Sequence, residues 1–174
     1  LASEAKPFLH RWSLSIEEQF YILYPLLIGL IWKIPKVIFH FIIVSILISF
    51  FANIILIENH PEATFYLPFT RFWEIMAGSL IAFLNFKKET KLNNQNKLKI
   101  LFADAQSIIG ILLIITSVII LDSSFLFPGY WGLLPVMGAL LIINSGHTSW
   151  FNRVFLSNKV LVSIGLISYP LYLW

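Results

Sequence analysis

The residues able to do chemistry gather in two short stretches. The first is His10-Arg11-Trp12-Ser13-Leu14-Ser15-Ile16-Glu17-Glu18-Gln19-Phe20-Tyr21. Within it, Ser15-Ile16-Glu17-Glu18 fits a capping box, where an acid three residues after a serine reaches back to its amide. That gives Glu18 a structural task and leaves Glu17 without one. Adjacent helical positions lie ~100° apart, so the two carboxylates face different ways. Glu17 shares its face with Phe20, Tyr21 and Tyr24 at helical spacing. A carboxylate among aromatic rings suits proton transfer or contact with a substrate hydroxyl; the alternative is a second surface acid. His10 reads either as a polar loop residue or as a proton handler near neutral pH.

The second stretch is Thr70-Arg71-Phe72-Trp73-Glu74. Arg71 and Glu74 stand at i,i+3 and can pair on one helix face. A charge at the centre of a bilayer costs ~2.5–3.5 kcal/mol, so charges in apolar runs usually face the protein interior. The pair is a functional candidate or an ion pair that locks two helices. Trp73 fits an aromatic belt at a membrane interface. Phe127-Pro128-Gly129-Tyr130 is a turn signal. There is no glycine-rich phosphate loop and no Gly-x-Ser-x-Gly elbow. Cysteine is absent, and His10, His40, His60 and His147 show no ligand spacing, so no metal site is expected.

The elements that must hold these residues are apolar. Of 174 residues 58% are hydrophobic and 12% charged, against about 25% charged in soluble domains. Mean hydropathy is +0.82. Disordered and fibrous chains and an ordinary soluble enzyme are excluded. The net charge of +3 comes with no basic stripe, so no nucleic-acid partner is expected. Residues 37–57 carry no formal charge, and at ~1.5 Å per residue they reach ~31 Å, one bilayer core. Shorter apolar runs flank this one. The chain is therefore predicted to be an all-α, polytopic transmembrane helix bundle forming a single partial domain. About six spans are expected, near 14–33, 36–57, 69–86, 105–122, 131–145 and 160–174. The runs do not alternate, which argues against a barrel.

Loop charges give an orientation. Nine of the 12 Lys and Arg residues fall in 33–36, 87–104 and 146–159, which the positive-inside rule places in the cytoplasm. His10, Glu17, Arg71, Glu74 and the 127–129 turn then lie together on the outer side. Few polar residues sit deeper, apart from Asn53, Asn144 and scattered Ser and Thr. That favours chemistry at one face over a transporter or flippase for lipid-linked sugars, the competing reading. Leu1 is not a start residue and Trp174 falls inside an apolar run, which reads as an internal fragment truncated at both ends.

The stretch from Lys6-Pro7-Phe8-Leu9 through Tyr21 resembles the signature of the acyltransferase 3 family, the polytopic membrane O-acyltransferases of bacterial surface glycans. Thr70–Glu74 with Gly78, Phe127-Pro128-Gly129 leading into Leu134-Pro135, and Gly165-Leu166-Ile167-Ser168-Tyr169-Pro170-Leu171-Tyr172-Leu173-Trp174 match in order. The resemblance implies transfer of an acyl group, commonly acetyl, from cytoplasmic acyl-CoA to a sugar hydroxyl across the membrane. Acyl-CoA would be a co-substrate, with no bound cofactor. The partners would be membrane lipid and a surface polysaccharide or lipid-linked glycan, such as lipopolysaccharide O-antigen or peptidoglycan. The expected location is the bacterial inner membrane. His10, Glu17, Arg71 and Glu74 are the expected catalytic residues, with Trp12, Ser13, Tyr21 and Trp73 binding substrate. Arg11 stands where the family commonly has threonine, and Pro170 where it commonly has serine. The family's first spans lie outside this chain, so the fragment is expected to be inactive alone.

Overall fold

The computed structural model describes residues 12–31, 33–89, 97–122 and 125–173. Every regular element among them is helical: α1 (Trp12–Ile31), α2 (Pro35–Asn59), α3 (Pro61–Tyr66), α4 (Pro68–Glu89), α5 (Lys97–Ile120), α6 (Leu133–Ser145) and α7 (Lys159–Leu173). A 3-10 turn over Gly146–Thr148 and a π turn over Asn152–Leu156 join α6 to α7.

Prolines set several of these boundaries. Pro35, Pro61 and Pro68 each open a helix, where the missing N–H would have had no partner. The same rings disfavour helix in the residue before them, so α2 gives way at His60 and α3 at Leu67. α6 ends at Gly146, whose φ of +61° suits a residue without Cβ.

Two helix pairs form the body. α2 lies against α4, with Phe39 beside Phe83 at one end (6.2 Å) and Phe50 edge-on to Trp73 near the other (5.1 Å). α5 crosses α6 at Gly110 and Gly138. A Cβ on Gly110 would come within 2.7 Å of the Gly138 carbonyl, and one on Gly138 within 2.8 Å of the Gly110 carbonyl. Only glycine lets the two backbones touch in this way. The pairs are tied at opposite ends. At one end Gly132, entering α6, lies under the Trp73 ring, with 3.3 Å between the site of a Cβ and Cζ2. At the other, Asn85 of α4 donates to Asn144 of α6 (3.3 Å), which donates to Gln106 of α5 (3.2 Å).

A helix overlaps each of the six expected segments, with three differences. Among the described residues only α2 and α5 are long and apolar enough to cross a bilayer by themselves, not about six helices. α6 and α7 are apolar but short, α1 carries Glu17 and Glu18 in its second turn, and α4 carries Arg71 and Glu74 within its first two turns. The most apolar window of α2 and of α5 is only 22% buried, whereas the core helix of a soluble protein is mostly covered. α5 begins at Lys97, so part of the expected 87–104 loop is helix. α1 already runs at Trp12, so Ser15 lies inside it and cannot be its cap.

Candidate active site

α1 reaches α4 through aromatic rings. Phe20 is buried, stacks on Tyr24 at 4.8 Å and meets Phe72 edge-on at 5.7 Å. Phe20 lies three residues after Glu17, and Phe72 is next to Arg71. The contact therefore brings the two sequence stretches to the same end of the bundle. Glu17 and Glu18 are exposed there, and Tyr21 is 63% exposed. The Tyr169 hydroxyl approaches the Glu18 carboxylate at 3.5 Å, so the last stretch of the chain returns to the first. His10 lies outside the described residues, as do the side chains of Trp12 and Ser13.

Arg71 and Glu74 do pair. Arg71 donates from Nε to Oε1 (3.0 Å) and from Nη2 to Oε2 (2.8 Å). Their side chains are 21% and 19% exposed, and the guanidinium stands 5.6 Å from the centre of the Phe65 ring. The two parallel bonds fix the guanidinium plane as well as its position. The ring below adds a cation–π contact of about 0.5–2 kcal/mol.

Beneath the pair lies a polar network that the sequence did not announce. Thr70 is fully buried, and its hydroxyl donates to the carbonyls of Thr64 (2.6 Å) and Leu67 (2.8 Å). Asn53 of α2 donates to the Thr70 carbonyl at 3.1 Å. The Ser49 hydroxyl donates to the Phe69 carbonyl (2.6 Å) and accepts from the Trp73 amide (3.0 Å). Ser49 and Asn53 stand one turn apart on α2, so one face of that helix holds the opening turn of α4. The only signal in the sequence was two polar residues at i,i+4 inside an apolar run.

Trp73 does not sit in an interfacial belt. It is 3% exposed, between Phe50 and Gly132, and its Nε1 has no partner among the described residues. Pro128 follows a cis peptide bond, and the Gly132 amide donates to its carbonyl at 2.6 Å. Gly129 has a φ of +36° and lies close to Ile57. The Phe127-Pro128-Gly129 turn thus joins Trp73 and the end of α2. Parts of four separate stretches of sequence meet at one end of the bundle.

The arrangement offers a carboxylate exposed at the mouth, a fixed guanidinium and aromatic walls. A guanidinium held in this way can face a developing oxyanion, and an exposed carboxylate can exchange protons with a hydroxyl.

A family model described as an acyltransferase domain matches residues 2–174. A Staphylococcus aureus (strain COL) protein named "Putative O-acetyltransferase" is 34% identical over 97% of this chain and 29% of its own length. The peptidoglycan O-acetyltransferase OatA of Listeria monocytogenes is 29% identical over 97% of this chain and 28% of its own length. An uncharacterized protein of Haemophilus influenzae is 28% identical over 88% of this chain and 63% of its own. The chain thus spans less than a third of the length of the first two. No solved structure matches it. Two long apolar helices, little buried, together with a family of membrane acyltransferases point to a membrane protein. With the match running from residue 2 to the last residue, the chain belongs to the acyltransferase 3 family.

Proposed function

We propose that this chain is part of an integral-membrane O-acyltransferase. It moves an acyl group, acetyl in the first instance, from acyl-CoA on the cytoplasmic side to a hydroxyl of a glycan outside the cell. The half-buried, bidentate Arg71–Glu74 pair, at the end of the bundle where Glu17 is exposed, carries this reading. The acceptor oxygen attacks the acyl carbonyl while His10 or Glu17 takes its proton. The carbonyl oxygen gains charge and faces Arg71, and the CoA sulfur leaves. Trp12, Ser13 and Tyr21 surround the acceptor sugar, and Trp73, expected from the sequence to bind substrate but 3% exposed, supports the site from inside the bundle.

In this reading the protein lies in the bacterial inner membrane and crosses it several times. α1, α4, α6 and α7 complete the set of about six spans with their neighbours. Residues 33–36, 87–104 and 146–159 face the cytoplasm. The acceptor is peptidoglycan, lipopolysaccharide O-antigen or a lipid-linked precursor of such a glycan. The name of the Listeria relative favours peptidoglycan.

The test is expression of the full-length protein in a host without envelope O-acetylation, followed by release of base-labile acetate. Acetate is expected with the wild type. Arg71→Ala and Glu17→Gln should each lose at least tenfold while the protein stays folded in the membrane. Unchanged acetate from both variants would remove these residues from the site.

A further inference from the structure

The opening of α4 is not built by α4 alone. In an α-helix the carbonyl of Phe69 and the amide of Trp73 form one rung of the ladder. Ser49 of α2 addresses both groups with one hydroxyl, donating to the Phe69 oxygen at 2.6 Å and accepting from the Trp73 nitrogen at 3.0 Å. A side chain that enters the ladder between two turns changes the local direction of a helix. The rung it enters spans Arg71 and closes one residue before Glu74. Asn53, one turn along α2, takes the next carbonyl in line, that of Thr70.

We infer that Ser49 is a positioning residue for the Arg71–Glu74 pair, acting through the rung of α4 between Phe69 and Trp73. Its hydroxyl sets the pitch of the turn from which both charged side chains project. Ser49 is 2% exposed, so it does not touch a substrate at the outer mouth. The inference rests on the assignment of the pair to the acyl-transfer site.

Two features make the residue testable. Removing the hydroxyl leaves the Phe69 carbonyl and the Trp73 amide free to close their own rung, so no buried group is orphaned. Ser49 also lines a cavity of about 280 Å³ between α1, α2 and α4, bounded by Phe20, Ile48 and Phe72 among others. An added methyl therefore has room, and Ser49→Thr can keep the hydroxyl without overpacking.

In the full-length protein, Ser49→Ala is expected to fold and to lose at least tenfold in kcat with little change in KM for the acyl donor. Ser49→Thr should recover most of the loss. In a Glu74→Gln background the alanine change should have little further effect, because both act on one device. A second readout needs no transfer. With Glu74→Cys, the rate of labelling by a membrane-impermeant thiol reagent should change at least threefold on Ser49→Ala and return with Ser49→Thr. An unchanged labelling rate overturns the inference, whether or not the protein transfers acyl groups. So does wild-type kcat in Ser49→Ala while Arg71→Ala is inactive. If the labelling rate shifts but no variant of Arg71 or Glu74 alters transfer, the positioning stands and the site assignment fails.

Discussion

Thr70 shows how much the site depends on residues without charge. Its hydroxyl is fully buried and serves two carbonyls, that of Thr64 within α3 and that of Leu67 in the turn into α4. Thr70→Val keeps the shape and removes the donor, leaving those carbonyls to find other partners. A loss of about 1–3 kcal/mol is expected, read as a lower midpoint of thermal unfolding in detergent. Thr70→Ser should stay near the wild type, since it keeps the hydroxyl. The Arg71–Glu74 pair could be read from the sequence because i,i+3 spacing is a local rule. Ser49 and Asn53 could not be read as its supports. Their partners lie 20 and 17 residues away, and a serine in an apolar run does not say what it will meet. Trp73 misled for the same reason: tryptophan near a bilayer edge suits a belt, yet Gly132, far along the chain, supplies the surface that covers it.

At the scale of elements, the α5–α6 crossing is set by two glycines. A Cβ on Gly138 would fall 2.7 Å from Cγ1 of Ile114 and 2.8 Å from the Gly110 carbonyl, so backbone has to move. Gly138→Ala should destabilise by about 1–3 kcal/mol, measured by thermal unfolding. Gly29→Ala on α1 is the control: nothing lies within 4 Å of its Cβ position, so little loss is expected. The helices themselves were legible because continuous apolar runs and well-placed prolines are local signals. Their capacity to cross a membrane was less so. α6 and α7, at 13 and 15 residues, are apolar throughout but shorter than one bilayer core, and run length alone does not say where neighbours complete the crossing. The early start of α5 was missed because Lys97 and Lys99 looked like loop charges. Lysines alternate there with Leu98 and Ile100, and long basic stems are at home in a first helical turn at a membrane surface.

For the whole molecule, the expectation concerns sidedness. The Trp150 amide donates to Asp104 at 2.6 Å, and Asn85 bonds Asn144, which puts the start of α5, the end of α4 and the 146–152 segment at one end. Phe39 beside Phe83 adds the start of α2 to that end. Glu62 and Tyr130 belong to the other, with Arg71 and Gly132. All four test positions, Lys33, Glu62, Tyr130 and His147, are exposed. In intact cells an impermeant thiol reagent should label Glu62→Cys and Tyr130→Cys. Lys33→Cys and His147→Cys should react only after permeabilisation. The reverse pattern would place the Arg71 end in the cytoplasm and exclude a glycan acceptor outside.

The two ties between the helix pairs also bear on motion. Trp73 rests on Gly132 at one end and Asn85 holds Asn144 at the other, while a cavity of about 260 Å³ bounded by Ile81, Leu84, Met137 and Leu140 lies beside the second. Sliding would break both fastenings at once. The pair carrying Arg71 and Glu74 is therefore pinned to its neighbours at two distant levels, and these fix the height at which the charged residues stand relative to α5 and α6.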